Sequence, residues 1–303
     1  MISYGIVVHG GAGTPANLSD ACKKACEGAF GLLGEGRSSL DAVAESVRIL
    51  EDDGRFNAGY GSAVRLDGKT IEMDAALMDS RGRLGIVIAI RNVKNPILVA
   101  RRVVDTPHVA LAGEGATVFA NKKGFDRLYS ISPDALERYQ KVKRMIKEKR
   151  LHEEVLHWKG HDVESLWNFQ HISYQEIFCD TVGAAAIDRQ GVFSSAASTG
   201  GFAPMMLGRV GDTPMIGCGF YAGLTCAVAV TGMGEEIVRK MVARQVYERV
   251  SNGESIERAC KESVDMFPPN IKVGVIGISK EGYSVASNTH MASYVMVKES
   301  KVP

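Results

Sequence analysis

The sequence predicts an α+β protein, and three observations support that reading. Short apolar runs of strand length fall at residues 5–9, 181–187, 192–198, about 272–279 and about 283–288. Helical stripes fall at 38–52, about 233–250 and about 255–265. Strands and helices also come in clusters in both halves of the chain, with a charged stretch at about 134–160 between them.

Each element has a local reason. Gly5-Ile-Val-Val-His9 is continuous and apolar, as a strand buried on both faces requires. In 38–52, Leu40, Val43, Ala44, Val47 and Leu50 recur at helical spacing, with Ser38 or Ser39 placed to cap the first turn. Residues 61–90 read as strands joined by turns at Asp67-Gly68 and around Arg81-Gly82. Thr181–Ile187 and Val192–Ser198 read as neighbouring strands around a turn at Asp188–Gly191. Lys141, Lys143, Arg144, Lys147, Lys149 and Arg150 crowd one segment. With Glu148, Glu153 and Glu154 beside them, and no aromatic platform, they predict a solvated helix or linker, not a nucleic-acid patch.

Composition narrows the function classes. The 303 residues carry 36 basic and 35 acidic side chains, a net charge of +1, which argues against a nucleic-acid-binding face. No run approaches 18 uncharged apolar residues, so no membrane span is expected. The opening Met1–His9 lacks the basic start of a signal peptide, and the six cysteines form no Cys-x-x-Cys pair. A cytoplasmic enzyme with reduced thiols is the expectation.

The familiar short motifs fit poorly. Gly11-Ala-Gly13-Thr-Pro-Ala16 nearly matches a dinucleotide fingerprint, and a nucleotide-binding protein built on Gly11 and Gly13 is the alternative from another class. Against it, Pro15 stiffens the loop and one helical pattern follows without a second strand ending in an acid. Gly68-Lys69-Thr70 has Ala63 where a phosphate loop opens with glycine. His9-Gly10-Gly11 has no G-x-S-x-G partner elsewhere, so a serine esterase is not supported. His152 and His157 are five apart, not four, which turns them about 140° from each other on a helix and away from a shared zinc ion. His9, His171 and His290 are isolated and read as structural.

One constellation remains: Asp180-Thr181-Val-Gly183, Ser198-Thr199-Gly200-Gly201, Gly208-Arg209-Val210-Gly211-Asp212 and Thr231-Gly232-Met233-Gly234. In this order and spacing the motifs resemble the threonine-dependent asparaginase and isoaspartyl peptidase family of N-terminal-nucleophile hydrolases. His9-Gly10-Gly11-Ala12-Gly13, Phe56-Asn57-Ala58-Gly59 and Met73–Asp79 in the first half look like signatures of the same family. The resemblance covers the chain except the connector at about 122–178. It implies a four-layer αββα sandwich, two face-to-face sheets with helices outside, forming one intertwined domain that assembles as a dimer of αβ units.

The resemblance also implies a mechanism. Thr181 attacks the Asp180 carbonyl, and the resulting ester is hydrolysed. This leaves residues 1–180 as an α chain and 181–303 as a β chain that begins with the nucleophile. The new α-amino group, with a reference pKa of about 7.7–8.0, becomes the base that the weak threonine hydroxyl needs. Asp180 departs from the glycine found there in many members; aspartate occurs in glycosylasparaginase-like and taspase-like branches, which are the alternatives within the fold. By resemblance, Arg209 grips the substrate α-carboxylate and Asp212 its α-ammonium, with Val210, Gly211, Met233 and Gly234 completing that subsite. Thr231 and Gly232 hold the oxyanion, and Thr199 and Asn57 orient the nucleophile and its pocket. The implied substrates are L-asparagine and β-aspartyl dipeptides, with no cofactor required. The loop at 50–60 corresponds to one that wraps a structural sodium ion in relatives, through backbone carbonyl oxygens at Leu50, Glu51, Phe56, Ala58 and Tyr60.

Overall fold

The computed structural model describes residues 1–65, 67–147, 161, 166, 168 and 181–300. In chain order the first part gives β1 (Ile2–Ala12), α1 (Ser19–Gly34), α2 (Ser39–Asp53), β2 (Met73–Asp79), β3 (Leu84–Ile90), α3 (Pro96–Val103), β4 (Ala110–Ala112), α4 (Gly113–Lys122) and α5 (Pro133–Lys147). After the segment outside the described residues come β5 (Val182–Ile187), β6 (Phe193–Thr199), β7 (Phe220–Ala222) and β8 (Cys226–Gly232). The chain continues through α6 (Gly234–Lys240), α7 (Val242–Ser251), α8 (Ile256–Asp265), β9 (Val273–Ser279), β10 (Tyr283–Ser287) and β11 (Met291–Glu299). The expected α+β class holds.

One sheet has seven strands in the order β11-β1-β5-β6-β2-β3-β4; the other has four, β10-β9-β8-β7. Period-2 burial assigns each strand two faces. Ile6, Val8, Val182, Ala184 and Ala186 point into a core shared with α1, α2 and α3. Val7, Ala185 and Ile187 point the other way and meet Ala227, Ala229, Ile276 and Ile278 of the second sheet. The outer face of that sheet, Val228, Val230, Val273 and Val275, is covered by Val242, Val246, Ile256 and Cys260 on α7 and α8.

The two halves share the large sheet. β1 pairs with β5 in the register His9↔Gly183, and β2 pairs with β6 in the register Asp74↔Thr199. This interleaving brings the N-terminal end of β5 and the C-terminal ends of β1 and β6 to one edge of the sheet.

Ser38 caps α2 by accepting the Asp41 amide at 3.2 Å, and Ser255 caps α8 through the Arg258 amide at 3.3 Å. Two elements differ from the expectation. The single helix at 233–250 is broken, because Met241 adopts φ 49°, ψ 50° and starts α7 afresh. The first amides of α7 then bond the preceding loop, Ala243 to the Cys218 carbonyl at 3.2 Å and Arg244 to that of Gly217 at 2.8 Å. The Asp67-Gly68 turn forms, with the Asp67 carboxylate accepting the Lys69 and Thr70 amides, but its arms are not ladder strands. Their groups serve Asn57 and the Arg65 guanidinium instead. Asp180, His152, His157, His171 and the end of the charged stretch lie outside the described residues. Among the described residues no helix is long and apolar enough to cross a membrane.

Candidate active site

A narrow cleft opens where β5 begins and β6 and β8 end, and Thr181 lies in its wall at 7% exposure. The Val182↔Ser198 pairing sets Thr181 beside Thr199, whose hydroxyl oxygen accepts the Gly201 amide at 3.0 Å. That turn is held from the first half of the chain. Asn57 donates its side-chain amide to the Gly201 carbonyl and accepts the Ala63 amide at 2.8 Å, while its backbone carbonyl takes the Gly200 amide at 2.9 Å. The Thr213 hydroxyl, unforeseen from sequence, lies 3.5 Å from that of Thr181.

Across the cleft β8 delivers Gly232, with Thr231 next to it in the strand. Thr231 is fully buried, and its oxygen accepts the Ala12 amide at 3.1 Å, which leaves its own proton to donate elsewhere. Gly232 lines the cleft with φ 137°, and a Cβ there would collide with the Lys272 carbonyl. Only glycine fits.

The charged residues converge on the same space. Arg209 is held edge-on by Glu235, Nε and Nη2 each donating to one carboxylate oxygen at 2.8 Å, and its guanidinium stacks 4.3 Å from the centre of the Phe202 ring. Such a bidentate pair fixes the plane of the fork. Gly211 lies against Nη1 and Gly234 against Nη2, so neither position leaves room for a side chain beside the guanidinium. Asp212 is buried, its Oδ2 has no hydrogen-bond partner, and burial pushes its carboxyl up to about 7 against the pull of Arg209. A buried, unpartnered carboxylate oxygen at a cleft wall is an unmet demand for a donor.

Thus Thr181, Thr199, Arg209, Gly211, Asp212, Gly232 and Gly234 line one cleft. Asn57, Val210, Thr231 and Met233 do not line it: Asn57 and Thr231 are buried behind the wall, and Met233 packs against the α6–α8 core while its amide bonds the Lys272 carbonyl at 3.0 Å. Glu235, Phe202 and Thr213 were missed although each lies within two residues of a motif singled out, because side-chain direction is not readable from spacing. His9 is fully buried beside the Thr181 backbone and over Gly183, with neither ring nitrogen hydrogen-bonded; burial lowers it to about 3, so it is neutral.

The sequence model of the asparaginase family matches residues 2–302. The chain belongs to the asparaginase family. It is 38% identical to the plant-type L-asparaginase of Thermococcus kodakarensis, over 97% of this chain and 96% of that protein. It is 37% identical to the isoaspartyl peptidase/L-asparaginase of Macaca fascicularis (94% and 89% covered) and 36% identical to that of Xenopus laevis (98% and 93%).

Family membership overturns the nucleotide-binding alternative, and the loop itself agrees. The amide of Ala12 bonds Thr231, that of Gly13 bonds the His290 carbonyl at 2.6 Å, and that of Thr14 bonds the Gly11 carbonyl at 3.2 Å, so these three donors do not face a phosphate. The expected loop at 50–60 begins only at Gly54, since residues 50–53 close α2; from there it is wound tightly around Gly61, onto which the Gly54 and Phe56 carbonyls converge. Ser132 donates to the Gly54 carbonyl at 2.9 Å, and Arg138 donates to those of Arg55 and Gly61. Ala58 accepts the Gly61 amide at 3.0 Å. Of the carbonyls that the resemblance assigns to sodium, those of Leu50 and Glu51 belong to the last turns of α2, that of Ala58 already accepts from Gly61, and that of Phe56 lies against Gly61.

Proposed function

We propose that this protein hydrolyses L-asparagine to L-aspartate and ammonia and also cleaves β-aspartyl dipeptides, with Thr181 as nucleophile. The single observation that carries this is the meeting in one cleft of a threonine hydroxyl, a preoriented guanidinium and the unpartnered Asp212 Oδ2. The names of the relatives point to the same substrates.

A free aspartyl group brings an α-carboxylate, an α-ammonium and a side-chain carbonyl. The carboxylate takes the Arg209 edge that Glu235 leaves over, and the ammonium supplies Asp212 Oδ2 with its donor. With both ends fixed, the side-chain carbonyl faces Thr181, and holding the reacting atoms at contact distance supplies much of the rate.

Thr181 Oγ attacks that carbonyl carbon, and its proton passes to the free Thr181 amine. The oxyanion takes donors from the Thr231 hydroxyl, whose oxygen is already bonded by Ala12, and from the Gly232 amide; one such donor is worth about 2.7–4 kcal/mol. Collapse expels ammonia with the returned proton, or the amine of a dipeptide, leaving an ester. Water, deprotonated by the same amine, then releases aspartate.

The amine exists only after the bond before Thr181 is cut. In our reading that cut is autocatalytic: Thr181 Oγ attacks the Asp180 carbonyl, nitrogen leaves as the free amine, and water hydrolyses the ester. The mature assembly is then a dimer of αβ units in the four-layer αββα arrangement, to which the contacts of helices on both outer faces lend support. Among the described residues five buried free thiols, Cys22, Cys26, Cys218, Cys226 and Cys260, suit the reducing cytoplasm. No cofactor enters the chemistry. A sodium ion held by the carbonyls of Leu50, Glu51, Phe56, Ala58 and Tyr60 would stiffen the loop that carries Asn57.

Ammonia release from L-asparagine, set beside amine release from β-aspartyl and α-aspartyl dipeptides, tests the assignment. Turnover of asparagine and the β-linked peptides alone is expected. Cleavage of α-linked peptides, or inertness toward all three after the chain has been cut, would refute it.

A further inference from the structure

We infer that Arg65 is a positioning residue for this site: with Glu72 it ties the two walls of the cleft to each other. The inference rests on the reading of the cleft given above. Arg65 is among the largest fully buried side chains in the described structure, at 2% exposure, and Glu72 stands at 4%. The Arg65 guanidinium does not line the cleft. Its work is done through backbone.

Arg65 Nη1 donates to the Gly200 carbonyl at 2.9 Å and to that of Ala63 at 3.2 Å. Nη2 donates to the Glu72 carbonyl at 2.9 Å, and Nε lies 3.5 Å from Glu72 Oε2. That same carboxylate oxygen accepts the Gly208 amide at 2.9 Å, while Oε1 takes Arg91. Gly200 sits between Thr199 and Phe202 on one wall; Gly208 precedes Arg209 on the other. The pair therefore joins the wall that orients the nucleophile to the wall that presents the substrate-binding guanidinium.

The arrangement uses what only arginine offers. A planar fork with five donors can span three carbonyls and a carboxylate, whereas an ammonium is a compact point charge that would serve fewer of them. Burying a guanidinium is costly, and an apolar side chain of similar volume often does as well for stability alone. What such a side chain cannot do is fix the Gly200 carbonyl against the Gly208 amide.

The substitutions separate positioning from folding. Arg65→Met removes the fork, while Arg91 keeps Glu72 paired and Glu72 keeps Gly208. The expected result is a fall in kcat of about tenfold or more per processed chain, with KM for asparagine changed less than threefold. Arg65→Lys should recover part of the loss and serves if the methionine variant does not fold. Hydrogen exchange on peptides spanning 199–202 and 208–213 gives a readout that needs no substrate. The first should exchange about tenfold faster in Arg65→Met, and the second should rise less, because Glu72 loses Arg65 but still holds the Gly208 amide. A merely structural Arg65 would lower the melting temperature while leaving kcat per processed chain and local exchange unchanged, and that outcome would overturn the inference. If wild-type protein is inert on asparagine but exchange rises on both walls, the activity assignment fails and the tie stands.

Discussion

Gly234→Ala separates binding from folding within one substitution. Gly234 opens α6 without a left-handed backbone, so alanine adopts its conformation freely and should favour the helix by up to about 1 kcal/mol. The added Cβ, however, would lie 2.8 Å from Arg209 Nη2 and 2.9 Å from Asp212 Oδ1. Ordinary contacts begin near 3.4 Å, so both side chains must retreat by roughly half an ångström. They can, since both are side-chain ends; the Asp212 backbone nitrogen, at 3.3 Å, needs to give by only about a tenth of an ångström, and the fold survives. Their retreat spoils the two groups proposed to clamp the substrate, and each charge-assisted hydrogen bond is worth about 1.5–3 kcal/mol. At about 1.4 kcal/mol per tenfold, KM for asparagine should rise between ten- and a hundredfold or more while the melting temperature holds or climbs. Steady-state kinetics beside a thermal melt reads both. A KM within twofold of wild type would refute the assignment of Arg209 and Asp212 to the substrate clamp.

Other outcomes follow from the same geometry. Because the ammonium of a ligand needs Asp212 as a carboxylate, and burial holds that carboxyl up at about 7, L-aspartate should bind more tightly as pH rises. Roughly a tenth of the groups are ionised at pH 6 and nine tenths at pH 8, so the gain is about ninefold. Calorimetric titration should also show succinate, which lacks the ammonium, gaining nothing; equal pH dependence for both ligands would remove Asp212 from that role. Arg209→Lys cannot hold Glu235 and a carboxylate through separate edges, so KM should rise about tenfold or more with kcat little altered; an unchanged KM would exclude the carboxylate contact.

The backbone of this account was legible in the sequence because local signals and long-range pairing agreed. Ser38, the stripe from Leu40 to Leu50 and the turn at Asp188–Gly191 each specify their own segment, and the structure uses them as expected. The helix across 233–250 was misread because apolar periodicity continues through Met241, while the break is set by tertiary bonds from Ala243 and Arg244 to residues 217 and 218. The motifs named residues that meet in one cleft but not their partners. Spacing placed Arg209 near Asp212, yet the partner that fixes its plane is Glu235, 26 residues away. Arg65 and Glu72 were invisible for the same reason: buried polar side chains in a turn region look like surface residues until the sheet closes over them. Thr213 carried no signal beyond following Asp212.

The central claim is that Thr181 becomes the head of a chain and the nucleophile of the site. Denaturing intact mass of the purified protein, before and after warm incubation, tests it most directly, with Thr181→Ala alongside. The account predicts two wild-type fragments that meet between Asp180 and Thr181, ammonia release that grows with the cut fraction, and a single inert chain for the variant. A wild-type chain that turns over asparagine while intact, or an alanine variant that is cut and active, would contradict it.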